Sequence, residues 1–157
     1  MFRTMRRHGQ QLTPEACKAL LKREKRGVLS VTGENGYPYG MPVDHWYNEQ
    51  DGKLYFHGAK QGHRLDAILK DPRASYCVID RGTPHGDGWS MDFESVIVFG
   101  RMEIVEDEAR KKNALRHLTL QFTGESYYEA EWEKDGARVL VSALVPEHIT
   151  GKRVHES

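Results

Sequence analysis

The sequence predicts a mainly β (α+β) fold in which six short antiparallel strands form a small barrel with flanking helices. Two observations support this fold class. Most apolar residues alternate with polar ones, which is typical of strands that have one buried face. Turns containing Gly or Pro separate these segments, and closing such strands into a barrel removes exposed sheet edges. The length of 157 residues favours a single domain over 1–157.

A basic arm and a helix come first. Residues 1–11 are basic and polar and are expected to form an N-terminal arm outside the core. Thr13 and Pro14 predict a helix start, because Thr caps the first turn and Pro is favoured at the first helical position. This helix is expected to reach about Arg26, where Gly27 can end it.

The next segments change to a period of two. Residues 28–33 are the first predicted strand, and the turn at 34–36 leads to a return strand over 37–48, because Asn-Gly tolerates positive φ. Pro lacks the N–H that a strand ladder needs. The return strand is therefore predicted to be bulged or partly unpaired around Pro42, which would leave backbone groups for a ligand.

A third strand over 53–58 and a helix over about 62–71 follow. The helix places Leu65, Ile68 and Leu69 at helical spacing toward the core, and Pro72 ends it.

The rest of the chain alternates in the same way. It is predicted to contain a strand at 73–80, a loop at 81–90, a long strand at 91–107 bent near Gly100, a helix at 107–121 with Phe122 packed inward, a short helix within 126–136 and a closing strand at 137–152.

Composition excludes several classes of protein. Lys plus Arg and Asp plus Glu both number 23, so no global field attracts nucleic acid or a membrane surface. Neither a transmembrane run nor the apolar segment of a signal peptide is found. The two cysteines, far apart in sequence, favour reduced thiols over a disulfide framework. A cytoplasmic protein is expected.

The most informative segment is FHGAKQGHRLD at 56–66. Its small residues allow a ligand to approach the backbone at the start of the predicted helix. Lys60 and Arg64 lie four residues apart there, and cations at a helix N-terminus oppose the helix dipole unless an anion is bound. The segment therefore predicts a phosphate site, since Arg presents a planar pair of donors to phosphate. The alternative is a solvated basic helix start.

Metal and hydrolase chemistry have little support in the sequence. The eight histidines form neither an HExxH motif nor a Cys/His cluster at ligand spacing. The pairs that come nearest to a metal-ligand spacing are Asp44 with His45 and His63 with Asp66. Ser95 lacks a recognisable hydrolase context. No metal is predicted.

The same segments resemble a known family. LYFHGAKQGHRLD, GYPYGMPVDHWY, ASYCVID, ESVIVFGRMEIVED and the ending HITGKRV are similar to the FMN-binding split-barrel superfamily, which has the fold of pyridoxamine 5′-phosphate oxidase. Within it, the chain looks most like the nitroimidazole-resistance flavoproteins. The resemblance covers nearly the whole chain, and LYFHGAKQGHRLD is its most specific part.

The resemblance implies a homodimer that holds FMN at the subunit interface. Basic residues after the third strand would bind the phosphate, and the second strand would lie along the ring. The implied cofactor-binding residues are Met41, Pro42, Val43, Asp44, Phe56, His57, Lys60, His63, Arg64, Ser95 and Lys152.

The resemblance also implies an FMN-dependent oxidoreductase that uses NAD(P)H to reduce a small electrophile such as a nitroaromatic. His57 is a candidate proton donor beside the flavin, or else a packing residue that bonds the cofactor. Trp89 could cover the ring or simply anchor its loop. The alternatives are a non-catalytic flavin-binding or redox-sensing protein, and a pyridoxamine or pyridoxine phosphate oxidase. The substrate-binding Arg and His pattern of the last enzyme is not found near the C-terminus.

Overall fold

The computed structural model describes residues 1–86 and 88–155. Its helices are α1 (Pro14–Arg23), α2 (His63–Lys70), α3 (Glu108–Leu120) and α4 (Glu125–Asp135). Its strands are β1 (Arg26–Thr32), β2 (Pro38–Asp44), β3 (Trp46–Asn48), β4 (Lys53–Ala59), β5 (Arg73–Ile79), β6 (Thr83–His85), β7 (Ser90–Ile104) and β8 (Val139–His155).

The strands form one antiparallel sheet in the order β2-β1-β5-β7-β8-β4-β3, with β6 paired to β7. The two ends of this order, β2 and β3, are consecutive in the chain and separated only by His45. The sheet therefore curls into a half-barrel, and the helices flank it. This confirms the predicted split-barrel α+β fold.

The described residues hold eight strands, where the sequence predicted six. Two differences account for this. The predicted return strand over 37–48 is divided at His45, and the predicted loop over 81–90 contains the short β6. His45 leaves the ladder because its buried ring bonds to Tyr76 and to a carbonyl of α1.

The predicted end of the first helix was wrong. Thr13 does cap α1 by accepting from the N–H of Ala16 at 3.1 Å, but the helix ends at Arg23. Gly27 lies inside β1, where a Cβ atom would come within 2.5 Å of the carbonyl oxygen of Cys77. Close packing between strands, and not a helix stop, requires this glycine.

The predicted bulge at Pro42 was also wrong. The β1–β2 register runs without interruption from Arg26 opposite Asp44 to Thr32 opposite Pro38. Pro42 is tolerated because β2 is an edge strand with a ladder on one side only. The bend or bulge predicted at Gly100 is confirmed by a register shift between Phe99 and Gly100.

Two apolar clusters make up the core. The larger one fills the barrel and includes Leu29, Phe56, Tyr76 and Val98. The smaller one joins β4 and β8 to α3 and α4 through Tyr55, Leu115 and Tyr128, among others. Leu69 and Phe122 were predicted to face inward but are 67% and 55% exposed. The buried residues of α2 are Ala67 and Ile68.

The N-terminal arm is not fully separate from the domain. Gln11 forms a bridge with Lys152, and the Phe2 ring stacks on His148 with centroids 4.8 Å apart. Within the described residues, no helix has the length and apolar character needed to cross a bilayer.

Candidate functional site

A cleft opens between the free edge of β2 and the start of α2. Its volume is about 330 Å³, at the lower end of the range for small-molecule sites. Residues from β2, from the segment joining β4 to α2, and from β8 line it: Tyr39, Met41, Pro42, Val43, Ala59, Gln61, Gly62, His63, Arg64, Leu65, Ile68, Leu140 and Ser142. The curl of the sheet brings these distant segments together.

Arg64 is the central cation of this cleft. Its guanidinium donates to the carbonyl of His57 at 2.9 Å and lies against Gly58, where a Cβ atom would be only 1.9 Å from Nη2. Among the described residues, no carboxylate pairs with Arg64 within 4.0 Å. Partial burial lowers its pKa, which shows that its charge is poorly solvated. This guanidinium therefore has the environment of a group that binds an anion.

The helix itself adds donors. Gly62 precedes α2 at φ 130°, a left-handed conformation that favours glycine, and no side chain in the described part of the chain caps the helix start. The first backbone N–H groups of α2 therefore lack a side-chain acceptor, and the helix dipole also favours an anion there. Lys60 is exposed just before this turn.

His63 connects α2 to β2. Its ring stacks on Tyr39, with centroids 4.0 Å apart and planes 14° apart. This contact holds the edge of β2 beside the helix start. The predicted residues Met41, Pro42, Val43, His63 and Arg64 are thus brought into one cleft.

Other predicted residues lie elsewhere. Phe56 is fully buried in the barrel core and does not line the cleft. The carboxylate of Asp44 is paired with Arg26 at 2.7 Å. Ser95 and Lys152 are cross-strand partners on β7 and β8, away from the cleft of the same chain.

His57 points toward a second cleft. Together with Thr119, Glu131, Trp132 and other residues it lines a cleft between β4 and the helices α3 and α4. Its side chain is exposed by surface area, yet it is crowded enough that desolvation, followed by the charge of Arg64, lowers its pKa. A lowered pKa favours the neutral form of the imidazole.

Two histidines considered as metal ligands have other contacts. His45 is fully buried, and its Nδ1 and Nε2 lie 2.7 Å from the Tyr76 hydroxyl and 2.8 Å from the Leu21 carbonyl. Because a carbonyl only accepts, Nε2 carries the proton and Nδ1 accepts from the hydroxyl. Burial lowers the pKa of His45. His63 is stacked on Tyr39, as described above.

Comparisons with known proteins agree with this architecture. A family model described as pyridoxamine 5′-phosphate oxidase matches residues 13–153. The chain belongs to this family. The match spans both the cleft and the strands that frame it, and it confirms the resemblance seen in the sequence. No curated protein sequence matches the chain.

Solved structures share the fold of this family member. A candidate 5-nitroimidazole antibiotic resistance protein from Bacteroides thetaiotaomicron superposes with a TM-score of 0.78 at 19% identity, covering 93% of this chain and 87% of that one. An FAD-binding protein from Mesorhizobium loti superposes with a TM-score of 0.67 at 21% identity, covering 94% of this chain and 97% of that one. The flavocytochrome Anf3 from Azotobacter vinelandii superposes with a TM-score of 0.74 at 24% identity, covering 95% of this chain and 71% of that one.

Sequence reasoning missed several residues of the β2–α2 cleft, among them Tyr39, Leu140 and Ser142. Tyr39 could have been found, because it alternates with Met41 and Val43 on the inward face of β2. Leu140 and Ser142 had no local signal. They reach the cleft only because β8 pairs with β4, which places Leu140 opposite Gly58 and Ser142 opposite Phe56.

Proposed function

We propose that this chain binds FMN in the cleft between β2 and α2, with the phosphate at Arg64, Lys60 and the start of α2. The observation that carries the proposal is the partly buried Arg64 guanidinium, which has no carboxylate partner among the described residues and lies beside an uncapped helix start. A phosphate would supply the missing negative charge at both groups.

The ring is proposed to lie along β2. Among the described residues no strand pairs with the outer edge of this strand, so the backbone groups at 41–44 that face outward, other than the Val43 carbonyl next to Tyr76, are available to the polar edge of a ring system. A single phosphate cradle suits FMN. The FAD-binding relative from Mesorhizobium loti makes FAD the second candidate, because its first phosphate could use the same cradle.

The proposed assembly is a homodimer. Apolar side chains form a row across three neighbouring strands on the outer sheet face, where Val28 is opposite Cys77 and Cys77 is opposite Ile97. Val28 and Ile97 are 44% and 39% exposed. Exposed apolar patches of this kind mark association surfaces. Ser95 and Lys152 share this face, so a second copy would be needed to bring them to a cofactor.

The proposed activity is reduction of a small electrophile such as a nitroaromatic, with electrons from NAD(P)H. Bound flavin would supply the electron and hydride chemistry. The chain would orient the flavin through Arg64 and β2, and His57 would exchange a proton with the substrate. The candidate nitroimidazole-resistance relative favours this class of substrate. A non-catalytic flavin protein, or oxidation of a phosphorylated amine, remains the alternative.

The test compares FMN and riboflavin binding by flavin fluorescence in the wild type and in Lys60→Ala/Arg64→Ala. Each lost charge-assisted hydrogen bond is worth about 1.5–3 kcal/mol, so FMN affinity should fall about a hundredfold or more. Riboflavin lacks the phosphate and should bind both proteins equally. Gly58→Ala should also weaken FMN binding, because its Cβ would displace the guanidinium.

Lys70→Ala is the matched control, since it removes a cation from the other end of the same helix. Unchanged FMN affinity in the double variant would show that the phosphate binds elsewhere. If FAD binds more tightly than FMN, the cofactor assignment changes while the cradle stands. NAD(P)H oxidation that depends on an added nitroaromatic would distinguish the reductase from a non-catalytic flavin protein.

A further inference from the structure

Three potential metal ligands meet at the end of the barrel formed by β6, β7 and β8. His85 is the last residue of β6, Asp92 lies near the start of β7, and His155 is the last residue of β8. One ligand atom from each residue lies within 4.8 Å of the other two. We call this group the His–Asp–His cluster.

The strand register creates the cluster. Asp92 pairs directly with His155 on β8 and with Thr83 on β6. His85 is two residues beyond Thr83, so the period of two places it on the same face of the sheet. Directly opposite side chains in an antiparallel pair have Cβ atoms about 4.5–5.5 Å apart, and diagonal ones remain within reach. His155 therefore converges with Asp92, which lies 63 positions earlier in the sequence, and with His85.

The distances suit a metal ion. The Nδ1 atom of His155 lies 2.6 Å from Oδ1 of Asp92, and Nδ1 of His85 lies 2.9 Å from Oδ2. Metal–ligand bonds of about 2.0–2.2 Å place neighbouring ligand atoms roughly 3–3.5 Å apart, so small side-chain rotations would be sufficient. Both imidazoles already direct Nδ1 at the carboxylate, where a metal would replace the shared protons.

The surrounding charges favour a cation at this point. The carboxylate of Asp92 faces both imidazoles, at 2.6 Å from His155 and 2.9 Å from His85. Arg153, two residues before His155 on β8, is engaged with Glu94 at 3.0 Å. The two imidazoles are more than half exposed, so water can enter and complete a coordination sphere.

The cluster is separate from the proposed flavin site and dimer face. Asp92 and Glu94 alternate with Ser95 and Ile97, so they lie on the opposite side of β7 from the apolar row. None of the three residues lines the β2–α2 cleft. Binding at the cluster therefore does not depend on the proposed flavin function.

We propose that His85, Asp92 and His155 bind one divalent first-row transition-metal ion, such as Ni²⁺ or Zn²⁺. Two imidazoles and one carboxylate select these ions over Mg²⁺ and Ca²⁺, which prefer all-oxygen sites. Three protein ligands leave positions open for water. The ion would join the end of β8 to the β6–β7 hairpin and stabilise that corner of the barrel.

Calorimetric titration of the purified chain with NiCl₂ tests the proposal, because Ni²⁺ avoids strong competition from the exposed thiol of Cys77. The wild type should bind one equivalent, and saturating Ni²⁺ should raise Tm because the folded state binds the ion preferentially. His85→Ala, His155→Ala and Asp92→Asn should each weaken binding at least about tenfold. MgCl₂ should give neither binding nor a Tm shift.

His148→Ala is the matched control, because it removes another β8 histidine from outside the cluster and should leave Ni²⁺ affinity unchanged. Asp92→Asn preserves the side-chain shape, and unchanged far-UV circular dichroism would show that the variants fold. Equal Ni²⁺ affinity in the wild type and all three cluster variants would overturn the proposal. So would stoichiometric binding that is lost only in the His148 variant.

Discussion

His45 joins the two ends of the sheet, and replacing it provides a direct test of how the split barrel is held together. The Leu21 carbonyl is buried near the end of α1 and accepts a hydrogen bond from His45 Nε2 at 2.8 Å. His45→Leu removes this donor. A buried polar group left unsatisfied costs about 1–3 kcal/mol. The Tyr76 hydroxyl loses its acceptor Nδ1, a bond worth about 1 kcal/mol, but its single proton can turn to the Val43 carbonyl 3.1 Å away. We therefore expect the free energy of unfolding to fall by about 2–4 kcal/mol.

The assay is urea denaturation at fixed flavin concentration, because a bound ligand adds to apparent stability. A loss of this size should also lower Tm by about 2–4 °C per kcal/mol for a chain of this length. His45→Gln carries an amide donor that can reach the Leu21 carbonyl, so it should recover part of the loss. His8→Leu, at an exposed histidine, is the control. A loss below about 0.5 kcal/mol in His45→Leu, or one equal to that of the control, would refute the reasoning.

The pH dependence gives a second test of the same residue. Burial lowers the pKa of folded His45 below its unfolded value of about 6.5, so the unfolded chain binds more protons as the pH falls. The stability contributed by neutral His45 is complete above about pH 6.5 and is lost below it, by at most about 1.4 kcal/mol per pH unit. His45→Leu cannot show this component, so the two stability curves should converge toward acid. Parallel curves would contradict the assignment.

Two further predictions concern assembly and the second cleft. Ile97→Glu places a charge in the exposed apolar row and should convert a dimer to a monomer, as measured by light scattering. Leu69→Glu on α2 is the control and should leave the dimer intact. If the Ile97→Glu protein is still a dimer, the interface lies elsewhere. The pKa of His57 is lowered by desolvation and then by the charge of Arg64. Binding of inorganic phosphate or FMN at Arg64 should therefore raise the pKa of His57, as measured by NMR titration. In Arg64→Ala the same ligands should leave the pKa of His57 unchanged.

Local signals predicted much of the fold. The Thr13 cap, the Asn35–Gly36 turn and the shift at Gly100 each depend on a few neighbouring residues, and all three are present. The Lys60–Arg64 segment was recognised in the same way, from the conflict between cations and a helix dipole. The errors at Gly27 and Leu69 were decided by tertiary packing, because a neighbouring strand closes on Gly27 and α2 buries Ala67 and Ile68 while Leu69 stays exposed.

The sequence by itself determined the fold class, the turn positions and the basic helix start, because each is encoded by alternation or by the backbone preferences of adjacent residues. Only the tertiary structure decided which of these residues meet. It turned His57 toward α3 and α4, buried Phe56, added Leu140 to the cleft and brought His85 beside His155. These outcomes depend on the register between strands far apart in the chain, and a one-residue change in register would reverse every side chain.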